Sequence, residues 1–151
     1  MFTPEYIKTH EQELRQAIIN ETYKFLNAKY HINGMLDYRE CDCHTLLIMV
    51  YSNVGLIKRF EPGFYRHDFS FHSTEETYLK GIQKFGKEVH QKKPGDIILF
   101  RYANLIDHTA IVIDEKGLMI DSCITRGVTL QDYNQPVNKE REMAVYSFWG
   151  E

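Results

Sequence analysis

The sequence has no long apolar run, no internal repeat and no large excess of charge of either sign. No stretch approaches the roughly 20 apolar residues that cross a bilayer, so no membrane-embedded segment is predicted. The formal net charge is −3, which disfavours the binding of long nucleic acid through its phosphates. We therefore expect a globular protein with neither a nucleic-acid partner nor a membrane partner.

Cysteine is scarce, with three residues in 151. An odd number that includes the close pair Cys41 and Cys43 differs from the even framework of a disulfide-stapled secreted domain, so reduced thiols are predicted. Residues 1–20 carry charges throughout and lack the apolar core of a secretory signal. We expect the chain to be cytoplasmic when made, and to need a virion or a dedicated export device to act outside the cell.

The pattern of the chain predicts helices first and strands later. The length favours a single domain over residues 1–151, and no stretch has the composition of a linker. Three helices are predicted from caps and apolar spacing: from Thr3-Pro4 to near Ala28, from the N-cap Asp42 to Gly55, and from a capping box at Ser73 to Glu76 as far as Gly86.

Residues 56–72, with many aromatic side chains, are interpreted as a long loop. After Pro94-Gly95 the apolar residues alternate, which predicts strands at 96–101, 108–113, 118–123 and 143–149, with a weaker candidate at 126–130. This order favours an α+β fold in which N-terminal helices pack on an antiparallel sheet.

Cys43 is a candidate nucleophile because it falls in the first turn of the second predicted helix. A thiolate is the attacking species, and the positive end of a helix lowers the pKa of a thiol there. Unpaired backbone N–H groups of the same turn are expected to receive the oxyanion of a tetrahedral intermediate. The alternative is a small buried apolar side chain on the helix stripe, and Cys41 and Cys123 are interpreted as structural in that sense.

His108 is the candidate base, at the start of an otherwise apolar strand. If residues 114–117 form a hairpin loop, His108 lies opposite Cys123 and shares a face with Asp121. Asp121 is then diagonal to His108 and can orient its imidazole as the third member of a triad. A register slip of one residue would place Asp121 on the other face, so this assignment depends on the register. The alternative for His108 alone, as a histidine that starts a strand, is a structural or surface-exposed side chain.

Five motifs together resemble the NlpC-type cell-wall peptidases, a compact papain-like family. Glu40 to Leu47 is similar to the family's Asp-Cys helix start, and Lys93 to Phe100 resembles its Pro-Gly-Asp strand. Asp107 to Val112 resembles the strand with the histidine, and Met119 to Asp121 the strand with the third polar residue. Ala28 to Gly34 resembles the tyrosine-containing segment that precedes the nucleophile.

This resemblance implies a papain-like cysteine hydrolase with no cofactor and no metal. Cys43, His108 and Asp121 would be catalytic, Tyr30 would help to bind substrate, and His44 would narrow the cleft or add a second imidazole. The third position is usually histidine in the family, and aspartate can also accept from an imidazole N–H. The implied substrate is a peptide bond in a peptidoglycan stem peptide, and residues 65–85 look most like a branch encoded with phage tail genes, so phage tail or secretion-system proteins are candidate partners.

Two other functions remain open from the sequence. Cys41, Cys43, His108 and Cys123 could supply the four ligands of a zinc site, although Cys-x-Cys lacks the usual knuckle spacing. A catalytically degenerate binding or assembly module could have kept the papain-like shape, with a contact loop formed by aromatic residues Phe60, Phe64, Tyr65, Phe69 and Phe71.

Overall fold

The structure is a computed structural model that describes residues 1–62, 77–102 and 105–151. The helices of these residues are α1 (Pro4–Thr9), α2 (Glu11–Tyr23), α3 (Cys43–Val54), α4 (Thr77–Gln83) and α5 (Pro136–Arg141). The strands are β1 (Lys29–Tyr30), β2 (Met35–Leu36), β3 (Glu40–Cys41), β4 (Lys87–Val89), β5 (Ile97–Tyr102), β6 (Leu105–Val112), β7 (Leu118–Cys123), β8 (Gly127–Asp132) and β9 (Glu142–Ser147).

The main sheet has six strands in the order β4-β9-β5-β6-β7-β8, and every neighbouring pair is antiparallel. A small second sheet, β1-β3-β2, joins β1 to β3 in parallel and β2 to β3 antiparallel. The predicted α+β class, with N-terminal helices on an antiparallel sheet, is confirmed. The weak strand candidate at 126–130 is also confirmed, as β8.

The predicted first helix is wrong as a single element, because the chain breaks at His10 into α1 and α2. The start is as expected, since Thr3 accepts the backbone N–H of Tyr6 and Pro4 follows it. At the break, the Thr9 hydroxyl donates back to the Glu5 and Tyr6 carbonyls, and the His10 ring stacks on Tyr6 with 3.8 Å between centroids. These local side-chain contacts replace continuation of the helix, and α2 itself ends at Tyr23, before the predicted end near Ala28.

The second predicted helix is confirmed as α3, with Asp42 as N-cap and Gly55 in the left-handed region at φ 97°. The third predicted helix appears as α4. Its predicted capping box at Ser73 to Glu76 lies outside the described residues, as do residues 63–72 of the predicted loop. Among the described residues, β1 to β4 and α5 are elements that the sequence did not predict.

The sheet separates two apolar clusters. Helices α2 and α3 cover one face, where Ile18 and Leu46 pack with Ile111 and Ile120 of the sheet. The opposite face carries a smaller cluster whose members include Ala110, Val112, Met119 and Tyr133. In the parts of the chain that the structure describes, no helix is long and apolar enough to cross a membrane.

The Pro94-Gly95-Asp96 turn fixes both helices to the sheet. Arg15 of α2 donates to the Pro94 carbonyl at 2.7 Å and to Asp96 Oδ1 at 2.8 Å, and Tyr51 of α3 donates to the Gly95 carbonyl at 2.9 Å. Gly95 has φ 91°, and a Cβ there would lie 3.0 Å from the Ile18 side chain. This turn therefore sets where α2 and α3 lie on the sheet.

Candidate active site

Cys43 is the first residue of α3 and is buried, with 8% of its surface exposed. The Asp42 carboxylate caps the same turn, since Oδ1 accepts the backbone N–H groups of His44 and Thr45, each at 2.9 Å. The expectation that unpaired N–H groups of this turn receive an oxyanion is therefore wrong for these two groups. The Asp42 side chain occupies them, and an oxyanion would need another donor.

The start of α3 is also tied to the segment that contains Tyr30. Asp42 Oδ2 accepts the backbone N–H of Asn33 at 2.8 Å, and β1 pairs with β3 so that Tyr30 is the partner of Cys41. Asp42 itself is 1% exposed. The predicted substrate-binding tyrosine thus lies on the strand next to the segment that leads into α3.

His108 and Asp121 are in direct contact across β6 and β7. Nε2 of His108 lies 2.8 Å from Asp121 Oδ2, and the two side chains are 15% and 5% exposed. Ile111 pairs with Ile120 and Val112 with Met119, which confirms the predicted hairpin register. The second oxygen of Asp121, Oδ1, is buried and receives no hydrogen bond from the described residues.

This contact selects the ring nitrogen of His108 that can act as a base. A carboxylate accepts only, so Nε2 carries the proton that is shared with Asp121, and in the neutral imidazole Nδ1 is the acceptor. When the ring takes up a second proton, the nearby carboxylate stabilises the resulting positive charge. The pair therefore has the chemistry of an oriented general base.

Two buried hydroxyls join these strands to the start of α3. Thr109, the residue after His108, donates through Oγ1 to the Cys43 carbonyl at 3.2 Å. Ser122, the residue after Asp121, donates through Oγ to the Cys41 carbonyl at 3.0 Å. The structure thus brings the neighbourhoods of all three predicted catalytic residues together, although they come from three separate elements.

The other two cysteines differ from Cys43 in their surroundings. Burial raises the pKa of the Cys41 thiol to about 12, with a smaller contribution from the Asp42 charge, so Cys41 stays protonated at neutral pH. Cys123 is partly exposed, and its sulfur lies 3.5 Å from the Thr125 hydroxyl. Within the described residues, which include all four ligands of the predicted zinc alternative, no group of three or more His, Cys, Asp or Glu side chains could hold a metal ion.

His44 lines an apolar cavity of about 400 Å³ beside α3. Ile82 of α4 and Phe85, just after α4, also line this cavity, as do three further residues of α3: Leu47, Ile48 and Tyr51. The substrate-binding role of His44 stays a prediction. Of the predicted aromatic contact loop, Phe60 is exposed, whereas Phe64, Tyr65, Phe69 and Phe71 lie outside the described residues.

A comparison with protein-family models identifies the family of this chain. A model of the NlpC/P60 family matches residues 27–147 of the chain, a span that contains every predicted site residue. The chain belongs to the NlpC/P60 family. Proteins of this family are typically cysteine peptidases or amidases that hydrolyse cell-wall peptidoglycan.

Solved NlpC/P60 structures share the fold. An NlpC/P60 family protein from Bacillus cereus ATCC 10987 is 22% identical with a TM-score of 0.64, and the match covers 89% of this chain and 40% of that one. NlpC2 from Trichomonas vaginalis is 17% identical with a TM-score of 0.66, covering 91% and 47%. The NlpC/p60 domain of the peptidoglycan hydrolase SagA is 18% identical with a TM-score of 0.60, covering 88% and 97%.

These matches extend over nearly the whole chain but over less than half of the first and second of those proteins. None of the curated proteins compared with the chain matches it.

Sequence reasoning missed two residues that shape the site, Thr109 and Ser122, and part of the role of Asp42. The Asp42 cap was predicted, but its capture of two N–H groups was not, although Asp42 followed three residues later by Thr45 is a capping-box pattern. Thr109 and Ser122 were passed over because a single hydroxyl in an apolar strand carries no motif. Their hydrogen-bond partners, the carbonyls of Cys43 and Cys41, become visible only when β6 and β7 are placed against the segment that leads into α3.

Proposed function

We propose that this NlpC/P60 protein is a cysteine peptidase or amidase that cleaves a peptide bond in peptidoglycan stem peptides through Cys43, His108 and Asp121. The observation that carries the proposal is the 2.8 Å contact between His108 Nε2 and Asp121 Oδ2 on the two strands that Thr109 and Ser122 join to the start of α3. Family membership supplies the substrate class.

In the proposed reaction, the Cys43 thiol gives its proton to His108 Nδ1, and the thiolate attacks the carbonyl carbon of the scissile amide. The tetrahedral intermediate collapses to a thioester as the protonated imidazole returns that proton to the leaving amine. Water then loses a proton to His108 and attacks the thioester, which releases the carboxylic acid and restores the Cys43 thiol. Asp121 holds the ring orientation and stabilises its positive charge throughout.

Tyr30 and His44 are proposed to bind substrate on either side of Cys43. Support for Tyr30 comes from its place on β1, paired with Cys41 two residues before the nucleophile. Support for His44 comes from its place in the first turn of α3, at the wall of the apolar cavity. Neither residue takes part in proton transfer in this proposal.

The test is digestion of purified muropeptides by the full chain, with products identified by mass spectrometry. We expect cleavage within the stem peptide, loss of cleavage in Cys43→Ala, and retention in Cys123→Ser, which also removes one thiol. A trapped acyl adduct on Cys43 would identify the thioester.

No cleavage of any muropeptide, together with a Cys43 thiol that reacts rapidly with alkylating agents, would contradict the substrate class and point to another acyl compound. Absence of cleavage together with an unreactive Cys43 would contradict the enzyme proposal itself. The chain would then be a binding module with a papain-like fold.

The biological setting is proposed to be a phage or prophage tail, or a dedicated export device that delivers the protein to the cell wall. Its support is the resemblance of residues 65–85 to the tail-associated branch, and most of these residues lie outside the described ranges. Mass spectrometry of purified virions and of culture supernatant from the source cells tests this setting. Detection only in the cytosolic fraction would contradict it.

A further inference from the structure

Residues 41–43, which lead into α3, are hydrogen-bonded to two neighbouring strands that carry different proposed catalytic groups. The ladder between β6 and β7 pairs Ile111 with Ile120 and Val112 with Met119, next to the hairpin loop. Further from the loop, Thr109 of β6 donates a hydrogen bond to the Cys43 carbonyl, and Ser122 of β7 donates one to the Cys41 carbonyl. The segment that delivers the nucleophile is thus bonded to both strands at the end where His108 and Asp121 lie.

The two hydroxyls are closely coupled to the catalytic groups by chain position. Thr109 and Ser122 are each 1% exposed, so no water competes freely for these bonds. Each follows a catalytic residue directly in the chain, so each hydroxyl-bearing residue shares a rigid peptide unit with that catalytic residue. A shift of the Thr109 backbone relative to Cys43 therefore moves His108 relative to the thiol, and a shift of Ser122 relative to Cys41 moves Asp121.

We infer that Thr109 and Ser122 are positioning residues, which set the distance between the Cys43 thiol and the His108–Asp121 pair by holding the carbonyls of Cys43 and Cys41. This inference rests on the proposed function, because it assumes that His108 takes the Cys43 proton. Neither hydroxyl touches the reacting atoms in this role. Their effect passes through the backbone, and a misplacement of about 1 Å can cost about a hundredfold in rate.

The test measures the reactivity of Cys43 without any peptidoglycan substrate. Iodoacetamide labels the full chain across pH 5 to 9, mass spectrometry resolves each cysteine, and urea unfolding gives the folded fraction of each variant. Thr109→Val removes the hydroxyl at nearly constant shape, Ser122→Ala removes the other, and Thr109→Ser keeps the hydroxyl. Thr22→Val is the matched control, because Thr22 is fully buried in α2 and donates to the Ile18 carbonyl at 2.6 Å.

We expect the labelling rate of Cys43 at pH 6, per folded molecule, to fall about tenfold or more in Thr109→Val and in Ser122→Ala. In both Thr109→Val and Ser122→Ala, the pH at which the labelling rate of Cys43 begins to increase should be higher than in the wild type. Thr109→Ser should restore the wild-type profile, and Thr22→Val should leave it unchanged even though it loses a comparable bond. If Thr109→Val does not fold, Ser122→Ala and Thr109→Ser supply the comparison.

An activated Cys43 in the wild type with an unchanged profile in Thr109→Val and Ser122→Ala would overturn this inference and leave the proposed function standing. An equal loss of Cys43 labelling rate in Thr22→Val would also overturn the inference, because the lower rate would then result from loss of any buried hydroxyl and not from the position of Thr109 and Ser122. An ordinary thiol profile in the wild type would overturn both the proposed function and this inference.

Discussion

At the scale of single residues, Asp121, the proposed third member of the triad, carries a carboxylate with two acceptor oxygens. Only Oδ2 contacts His108, and Oδ1 is buried without a hydrogen bond from the described residues. Replacement by asparagine keeps the shape of the side chain but removes the negative charge that stabilises a protonated His108. It also buries an NH₂ group. If the amide oxygen faces His108 Nε2, the NH₂ group has no acceptor; if the NH₂ group faces the ring, the Nε2–H group has none.

We expect Asp121→Asn to lower kcat for muropeptide cleavage by about 10²- to 10⁴-fold, which is the usual contribution of general acid–base catalysis, with loss of an orienting aspartate at its upper end. Steady-state kinetics on one purified muropeptide measures this. Asp121→His, which keeps a group that can accept from the imidazole N–H, should keep a larger share of activity. Equal kcat in wild type and Asp121→Asn would remove Asp121 from the triad.

The three thiols offer a second prediction at this scale. Burial raises the pKa of Cys41 to about 12, so a negligible fraction is thiolate at pH 8, and the side chain is also shielded from reagents. We expect Cys41 to remain unlabelled by iodoacetamide in the native protein at pH 8 while Cys43 and Cys123 react. After unfolding in urea all three should label, and native labelling of Cys41 at the rate of Cys123 would contradict the prediction.

At the scale of elements, α3 was predictable to the residue because its signals are local. Asp42 caps it, the apolar stripe fills one face, and Gly55 ends it at a positive φ. The break between α1 and α2 was not predictable from spacing, because it depends on the Thr9 hydroxyl and the His10 ring rather than on a proline or glycine. The two-residue strands β1, β2 and β3 are too short to show alternation and form only through their mutual pairing.

The Asp42 cap should contribute more stability than an ordinary cap. Its carboxylate accepts the N–H groups of His44, Thr45 and Asn33, and all of them would lose their acceptor in Asp42→Ala. We expect a loss of about 2 kcal/mol or more in the free energy of unfolding, at or beyond the upper end for N-caps. Urea unfolding followed by circular dichroism measures it.

Two variants control this experiment. Asp42→Asn keeps an acceptor for the α3 turn and should lose less stability than Asp42→Ala. Thr3→Ala removes the exposed cap of α1, which accepts only the Tyr6 N–H, and should cost about 0.5–1 kcal/mol. A cost in Asp42→Ala no greater than that in Thr3→Ala would show that the additional bonds contribute nothing.

The contact between His108 and Asp121 also depends on whole elements, because the sequence predicts it only through the register in which β6 and β7 pair. Ile113 and Leu118 flank a loop of four residues, and counting back from them sets every pair along β6 and β7. The bonds from Thr109 and Ser122 to the start of α3 could not be predicted in this way. They depend on how a helix packs on the sheet, which no local pattern encodes.

At the scale of the whole molecule, Arg15 and Asp96 hold α2 to the sheet in a nearly dry environment. The Arg15 side chain is 10% exposed and that of Asp96 is 1% exposed, with 2.8 Å between Arg15 Nη1 and Asp96 Oδ1. Burial raises the pKa of the Asp96 carboxyl, and Arg15 opposes this effect through its hydrogen bond and charge. Removal of Arg15 would leave a buried carboxylate without its cation.

We expect Arg15→Met to lower the free energy of unfolding by about 3–5 kcal/mol at pH 7. Without Arg15, the pKa of Asp96 in the folded variant should rise further above its value in the unfolded chain. The folded state then binds a proton more tightly than the unfolded state, so protonation of Asp96 favours folding. The stability of the variant should therefore fall as pH rises from about 4 to 7. Urea unfolding at several pH values measures the difference between variant and wild type.

The double variant Arg15→Met/Asp96→Asn is the control for charge. It removes the unpaired carboxylate, so we expect it to regain part of the lost stability at pH 7 and to lose the additional pH dependence. A difference between Arg15→Met and wild type that is the same at pH 4 and pH 7 would contradict the argument. The loss would then come from packing of Arg15 on Trp149 rather than from charge.

The path of the chain through the site also has a consequence for protein synthesis. The Thr109 bond to Cys43 spans 66 residues and the Ser122 bond to Cys41 spans 81. At about 5–20 residues per second, the ribosome releases β6 and β7 roughly 3 to 16 s after α3. A nascent or truncated chain therefore carries the thiol without its base, and any hydrolysis that needs His108 begins only when the C-terminal half has been made and has folded.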